Sequence, residues 1–146
     1  MSTAAILQYP DFFKVAVSCA GNHDNSIYNR WWSEQHHGIK EIVAASDTTF
    51  AYSIETNPEI ASRLKGHLLL GSGDVDNKVQ PANTLRVVNA LIKANKRFDM
   101  LVLPVQSHSF GQMDEYFFWR MADYYCEWLL GDSRRSVVDI SQINNR

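Results

Sequence analysis

His67-Leu68-Leu69-Leu70-Gly71, then Pro81 through Lys96, then Phe98-Asp99-Met100-Leu101-Val102-Leu103-Pro104 are the stretches whose reading decides the fold. The first is a short apolar run preceded by Gly66 and followed by Gly71 and Gly73, and the last is a second such run. Both read as buried strands, because they are too short for a globular helix and carry no alternating polar positions. Between them Leu85, Val88, Leu91 and Ile92 recur on one helical face, while Arg86, Asn89, Lys93 and Asn95 lie away from it. That is the pattern of an amphipathic helix. Strand, helix and strand in this order make a βαβ unit, whose strands run parallel with a right-handed crossover.

Working outward, Phe13-Lys14-Val15-Ala16-Val17-Ser18 is a further apolar run, and the Ala-, Ile- and Leu-rich residues Met1 to Gln8 read as the end of a helix. Beyond the βαβ unit, Asp114 and Glu115 favour a helix start, and Gly131 suits its end. Within that helix Phe117, Met121, Tyr124, Tyr125, Trp128 and Leu129 recur at three- and four-residue spacing, and the stripe from Tyr116 to Trp128 is expected to be core. Between Gly21 and Gly66 the chain is polar, aromatic and weakly periodic, with room for helical pieces at 37–45 and 58–64. The prediction is one α/β domain over residues 1–132, with about three parallel strands and flanking helices, followed by a polar tail over 133–146. Three parallel strands leave the N-terminal one with an open edge, so the chain is expected to be a fragment or a homo-oligomer that covers this edge.

Composition narrows the function classes. A hydrophobic fraction of 45% over 146 residues supports a core without disulfides or a structural metal. Fourteen Lys and Arg against sixteen Asp and Glu, without runs of either sign, give no footprint for nucleic acid. No apolar run is long enough to span a bilayer, and the N-terminus has no export signal. Cys19 and Cys126 fit no metal-ligand spacing and read as buried free thiols.

In open parallel sheets, functional groups gather beyond the carboxyl ends of the strands, which singles out the loops Ala20–Ser33, Gly71–Gln80 and Val105–Gly111. The second holds Asp74 and Asp76, and the third holds His108. An acid after one strand and a His after the next is the order of the last two members of an α/β-hydrolase triad. Taken alone, either Asp is as readily a turn residue before a helix, and His108 a hydrogen-bonded loop residue. His23, His36, His37 and His67 invite a metal site, but no pair has the helical His-x-x-x-His arrangement, and neither metal nor cofactor is expected.

The stretch Gly73-Asp74-Val75-Asp76-Asn77-Lys78-Val79-Gln80-Pro81-Ala82-Asn83-Thr84, running into Val87 to Lys96, resembles the acid loop and following helix of the prolyl oligopeptidase family, dipeptidyl-peptidase-IV branch. Tyr9 to Ser18, followed by Ala20-Gly21-Asn22-His23-Asp24, resembles the segment shortly after that family's nucleophile motif. The similarity runs from Met1 to about Gly131. It implies a partial α/β-hydrolase fold and hydrolysis of a peptide substrate through a Ser-Asp-His triad. The acid of this family lies three residues before the Val of its loop, which assigns Asp76 rather than Asp74, and the triad His falls on His108. The resemblance also implies that Tyr28, Trp32 and Val79 lie about the pocket for the substrate's penultimate side chain.

Two departures stand out. Lys78 occupies a position where the peptidase branch often has Asn, which keeps a donor but loses the amide geometry. The Gly-x-Ser-x-Gly-Gly elbow of the family belongs before Met1, and Ser2 already lies within the helix, so this chain alone is expected to be inactive. The family's β-propeller also falls outside the chain, and analogy points to an exported parent protein. The rival expectations are a non-catalytic assembly or remnant module pairing through its sheet edge, and an esterase or acyl-peptide hydrolase on the same fold.

Overall fold

The computed structural model describes residues 1–36, 39–52 and 54–133; of the predicted polar tail over 133–146 only Ser133 is among them, and 134–146 lie outside the described residues. The chain opens with α1 (Ser2–Gln8) and β1 (Val15–Cys19), passes through α2 (Arg30–His36) and a hairpin of β2 (Ile39–Ala44) and β3 (Asp47–Tyr52), and then enters the βαβ unit. That unit is β4 (His67–Gly73), α3 (Pro81–Lys93) and β5 (Asp99–Leu103), and α4 (Asp114–Tyr125) closes the domain. A single π-helical turn, Cys126–Leu130, extends α4 to Gly131, whose left-handed backbone ends it as predicted.

The main sheet has the order β1-β4-β5, all parallel, in the layout of a partial α/β-hydrolase. β4 is the central strand and is buried from Leu68 to Gly73, because both of its faces are covered. Leu68 and Leu70 face a layer with Ile6 and Leu7 of α1 and Val87 and Leu91 of α3. Leu69 faces the opposite layer, with Leu103, Phe110, and Phe117 and Tyr124 of α4. Gly71 admits this second layer: a Cβ there would lie 2.5 Å from the Phe117 ring. β1 and β5 are the outer strands, so the open edge expected on β1 is present among the described residues.

Several expectations need correction. Ile39–Ala44 is a strand rather than part of a helix over 37–45, and it pairs antiparallel with Asp47–Tyr52. The β-branched and aromatic residues Ile42, Val43, Thr48, Thr49 and Phe50 favour a pleated ribbon over a helix. Over 58–64 only one 3-10 turn forms, Ala61–Arg63, although Ile60, Ala61 and Leu64 are buried beneath α1. The covered face of α3 is Asn83, Thr84, Val87 and Leu91, while Leu85 and Ile92 are exposed. The rotation follows from Asn83, whose polar side chain is drawn inward to the loop after β1. The aromatic stripe of α4 is core only at Phe117 and Tyr124; Tyr116 and Trp128 are on the surface. Cys19 and Cys126 are free but exposed, since each stands where its element leaves the core.

Candidate active site

The backbone between β4 and β5 determines how the two chemical loops meet. At the end of β4, Gly73 packs directly on the chain that follows β5, and a Cβ there would fall 2.2 Å from the Gln106 carbonyl oxygen. Asp74 N–H donates to the Leu103 carbonyl at 3.3 Å and Val75 N–H to the Gln106 carbonyl at 3.2 Å. These bonds stitch the loop after β4 to the loop after β5. The latter turns through left-handed backbone at Val105 and Phe110, with φ of 59° and 53°, a conformation that side chains rarely adopt.

Of the two candidate acids, Asp76 is buried and Asp74 is exposed. Asp76 Oδ1 accepts from the backbone N–H of Lys78 at 2.9 Å and of Val79 at 3.0 Å. Asp76 Oδ2 lies 2.9 Å from His108 Nδ1. The carboxylate side chain is fully enclosed, whereas the imidazole is 38% exposed and so can be reached from outside. Burial alone would raise the Asp76 pKa, but the hydrogen bond with His108 and the two backbone donors outweigh it and hold the carboxyl below its usual value. Asp76 is therefore an anion with both oxygens engaged, and Nδ1 of His108 is committed to it as donor. The free ring nitrogen, Nε2, is the one available for proton transfer.

Asn77 and Lys78, directly after Asp76, form part of the wall of a cavity of about 300 Å³ that Ile27, Tyr28, Asn29, Gln80, Ala82 and Asn83 complete. Of the three predicted pocket residues, Tyr28 lines this cavity. Trp32 stands edge-on to Tyr28, with ring centroids 6.4 Å apart, and is itself largely exposed. Val79 is buried, with its N–H on Asp76.

A second polar cluster was not legible in the sequence. Asn83, in the first turn of α3, uses its Oδ1 to accept the backbone N–H groups of His23 at 2.8 Å and Asp24 at 2.9 Å. Arg86, one turn later, forms a 3.2 Å ion pair with the buried carboxylate of Asp24. His23 is buried, and its Nδ1 pairs with Asn57 Nδ2 at 2.9 Å; burial lowers its pKa to about 4, so the ring is neutral. The cluster fixes the loop after β1 to the helix that begins directly after the acid loop. Polar residues near a helix start were the available signal, but periodicity alone assigned Arg86 to solvent. Among the described histidines, His36 stacks on Trp32 and His67 on Trp128. The described residues hold no cluster suited to a metal, and His37 lies outside them.

The sequence profile of the prolyl oligopeptidase family matches residues 1–132. The chain belongs to that family. A Bacteroides ovatus structure assigned as a dipeptidyl aminopeptidase IV superposes with a TM-score of 0.69 at 25% identity, covering 86% of this chain and 17% of its own. Dipeptidyl peptidase 4 of Porphyromonas gingivalis shares the fold with a TM-score of 0.65 at 24% identity, over 82% of this chain and 16% of its own. A puromycin-hydrolyzing peptidase of Mycobacterium tuberculosis shares it with a TM-score of 0.62 at 22% identity, over 87% of this chain and 20% of its own. No curated protein gives a significant match. This family segment thus spans about a fifth or less of the solved structures it resembles.

Proposed function

We propose that this chain is the acid-and-histidine segment of a dipeptidyl-peptidase-IV-like serine peptidase domain, acting with a Ser carried by sequence outside these 146 residues. The single observation that carries the reading is the 2.9 Å contact between Asp76 Oδ2 and His108 Nδ1 at the carboxyl end of adjacent parallel strands. Family membership and the chain order of acid and His support it.

In this reading His108 Nε2 takes the proton of the Ser hydroxyl as its oxygen attacks the scissile carbonyl. Collapse of the tetrahedral intermediate breaks the C–N bond, and Nε2 returns the proton to the departing amine. Water then repeats the sequence on the Ser ester, releasing the acid and regenerating the hydroxyl. Asp76 stays ionised throughout, fixes the tautomer and stabilises the imidazolium. Tyr28, Trp32 and Val79 border the bound peptide. The chain by itself is inactive in this reading, since loss of a triad nucleophile costs about six orders of magnitude in kcat. The open edge of β1 is covered by a strand from the rest of the protein or from a second copy.

The test is to express the full reading frame and treat it with a fluorophosphonate probe. Labelling of one Ser, abolished by His108→Ala, is the expected outcome. Absence of labelling, or labelling indifferent to His108, rejects the peptidase in favour of a non-catalytic module. A panel of Xaa-Pro amides and simple esters then separates the peptidase from an esterase.

A further inference from the structure

The family resemblance implies two rings and an apolar residue, Tyr28, Trp32 and Val79, about the substrate's penultimate side chain. The cavity beside Asp76 is of another kind. Its lining contains four amide side chains, Asn29, Asn77, Gln80 and Asn83, and one charged group, Lys78; no lining residue is a carboxylate. Lys78 is exposed, and among the described residues it takes part in no ion pair. The two buried acids of the flanking loops are already occupied: Asp76 by His108 and Asp24 by Arg86.

We infer that Lys78 makes this cavity a subsite for a negatively charged substrate residue, the Asp or Glu side chain of a peptide lying next to the scissile bond. The inference rests on the reading of Asp76 and His108 as the reacting edge of the site. Three features converge. The backbone of Lys78 is pinned by its N–H to Asp76, so its side chain starts from a fixed point two residues from the acid. The opposite wall is held by Asn83, which is bonded to the His23 and Asp24 backbone, so the cavity exists before a ligand enters. The amides supply donors that would complete the shell of a carboxylate around one ammonium. An apolar side chain leaves the Lys78 ammonium and these amides to water, whereas a carboxylate supplies them a partner.

The test is equilibrium binding to the full-length protein, read by fluorescence anisotropy with paired peptides differing only by Asp against Asn or Glu against Gln at the two positions before the scissile bond. At one of these positions the acidic peptide should bind about tenfold more tightly than its amide twin. The preference should shrink with added salt, vanish in Lys78→Asn and reverse in Lys78→Glu. Equal binding of the twins, or a preference that persists in Lys78→Asn, overturns the inference. Because binding does not require turnover, a Lys78-dependent preference in a protein that no fluorophosphonate labels would reject the peptidase reading and leave the anionic subsite standing.

Discussion

At the residue scale, the unusual feature of Asp76 is that its two oxygens have different tasks. Oδ1 ties the loop through the Lys78 and Val79 N–H groups, and Oδ2 addresses His108. In Asp76→Asn the amide oxygen can keep the loop while the NH₂ group faces Nδ1, which forces the imidazole into the wrong tautomer. We expect kcat of the full-length protein to fall about 10⁴-fold, with a small change in stability, measured by steady-state kinetics beside urea unfolding. His23 makes a separate prediction. Its folded pKa of about 4 lies below the ordinary 6.5, so the unfolded chain binds the extra proton. Stability from this group is complete above pH 6.5 and is lost as pH falls toward 4, by about 3 kcal/mol. Urea midpoints across this range should fall on acidification, and His23→Gln should flatten the dependence.

At the scale of elements, β4 and the loop after β5 meet through a glycine. In Gly73→Ala the new methyl would stand 2.2 Å from the Gln106 carbonyl oxygen and 2.7 Å from that of Ser107, and both belong to backbone. The loop bearing His108 must move away from the loop bearing Asp76. A displacement near 1 Å at a reacting group can cost about 100-fold in rate. Gly73→Ala should therefore lower kcat of the full-length protein by about that factor. Gly131→Ala, which meets nothing within 4 Å, should leave kcat unchanged. The same scale shows what sequence could disclose. The βαβ unit was legible because Leu68–Leu70 and Leu101–Leu103 are unbroken apolar runs around a periodic helix. Burial on both faces accounts for the first. The second lies on β5, an outer strand on which Leu103 alone is buried and Val102 is exposed, so it is not the buried strand expected. The hairpin over 39–52 was not legible, since its two faces are both mixed in character and no core selects its register. The meeting of Asp76 with His108 was expected from chain order and family likeness, and the two side chains lie 2.9 Å apart. The Asn83 and Arg86 contacts were not, because they join positions about 60 residues apart that share no local signal.

At the scale of the whole molecule, three layers are built on a sheet of only three strands, with β4 between β1 and β5. The strands that carry the acid and the imidazole are neighbours, joined by the register from Leu69 with Asp99 to Gly73 with Leu103. β1 is joined to the remainder of the sheet only through β4. Among the described residues its far side is open, an edge with unpaired backbone groups. Fraying should begin at that flank and reach β4 last. In hydrogen–deuterium exchange, the amides of Leu69 to Gly73 should be the most persistent in the chain, and those of β1 should exchange sooner. The carboxylate thereby follows directly on the strand expected to breathe least, so its position is insulated from whatever comes and goes along the exposed seam.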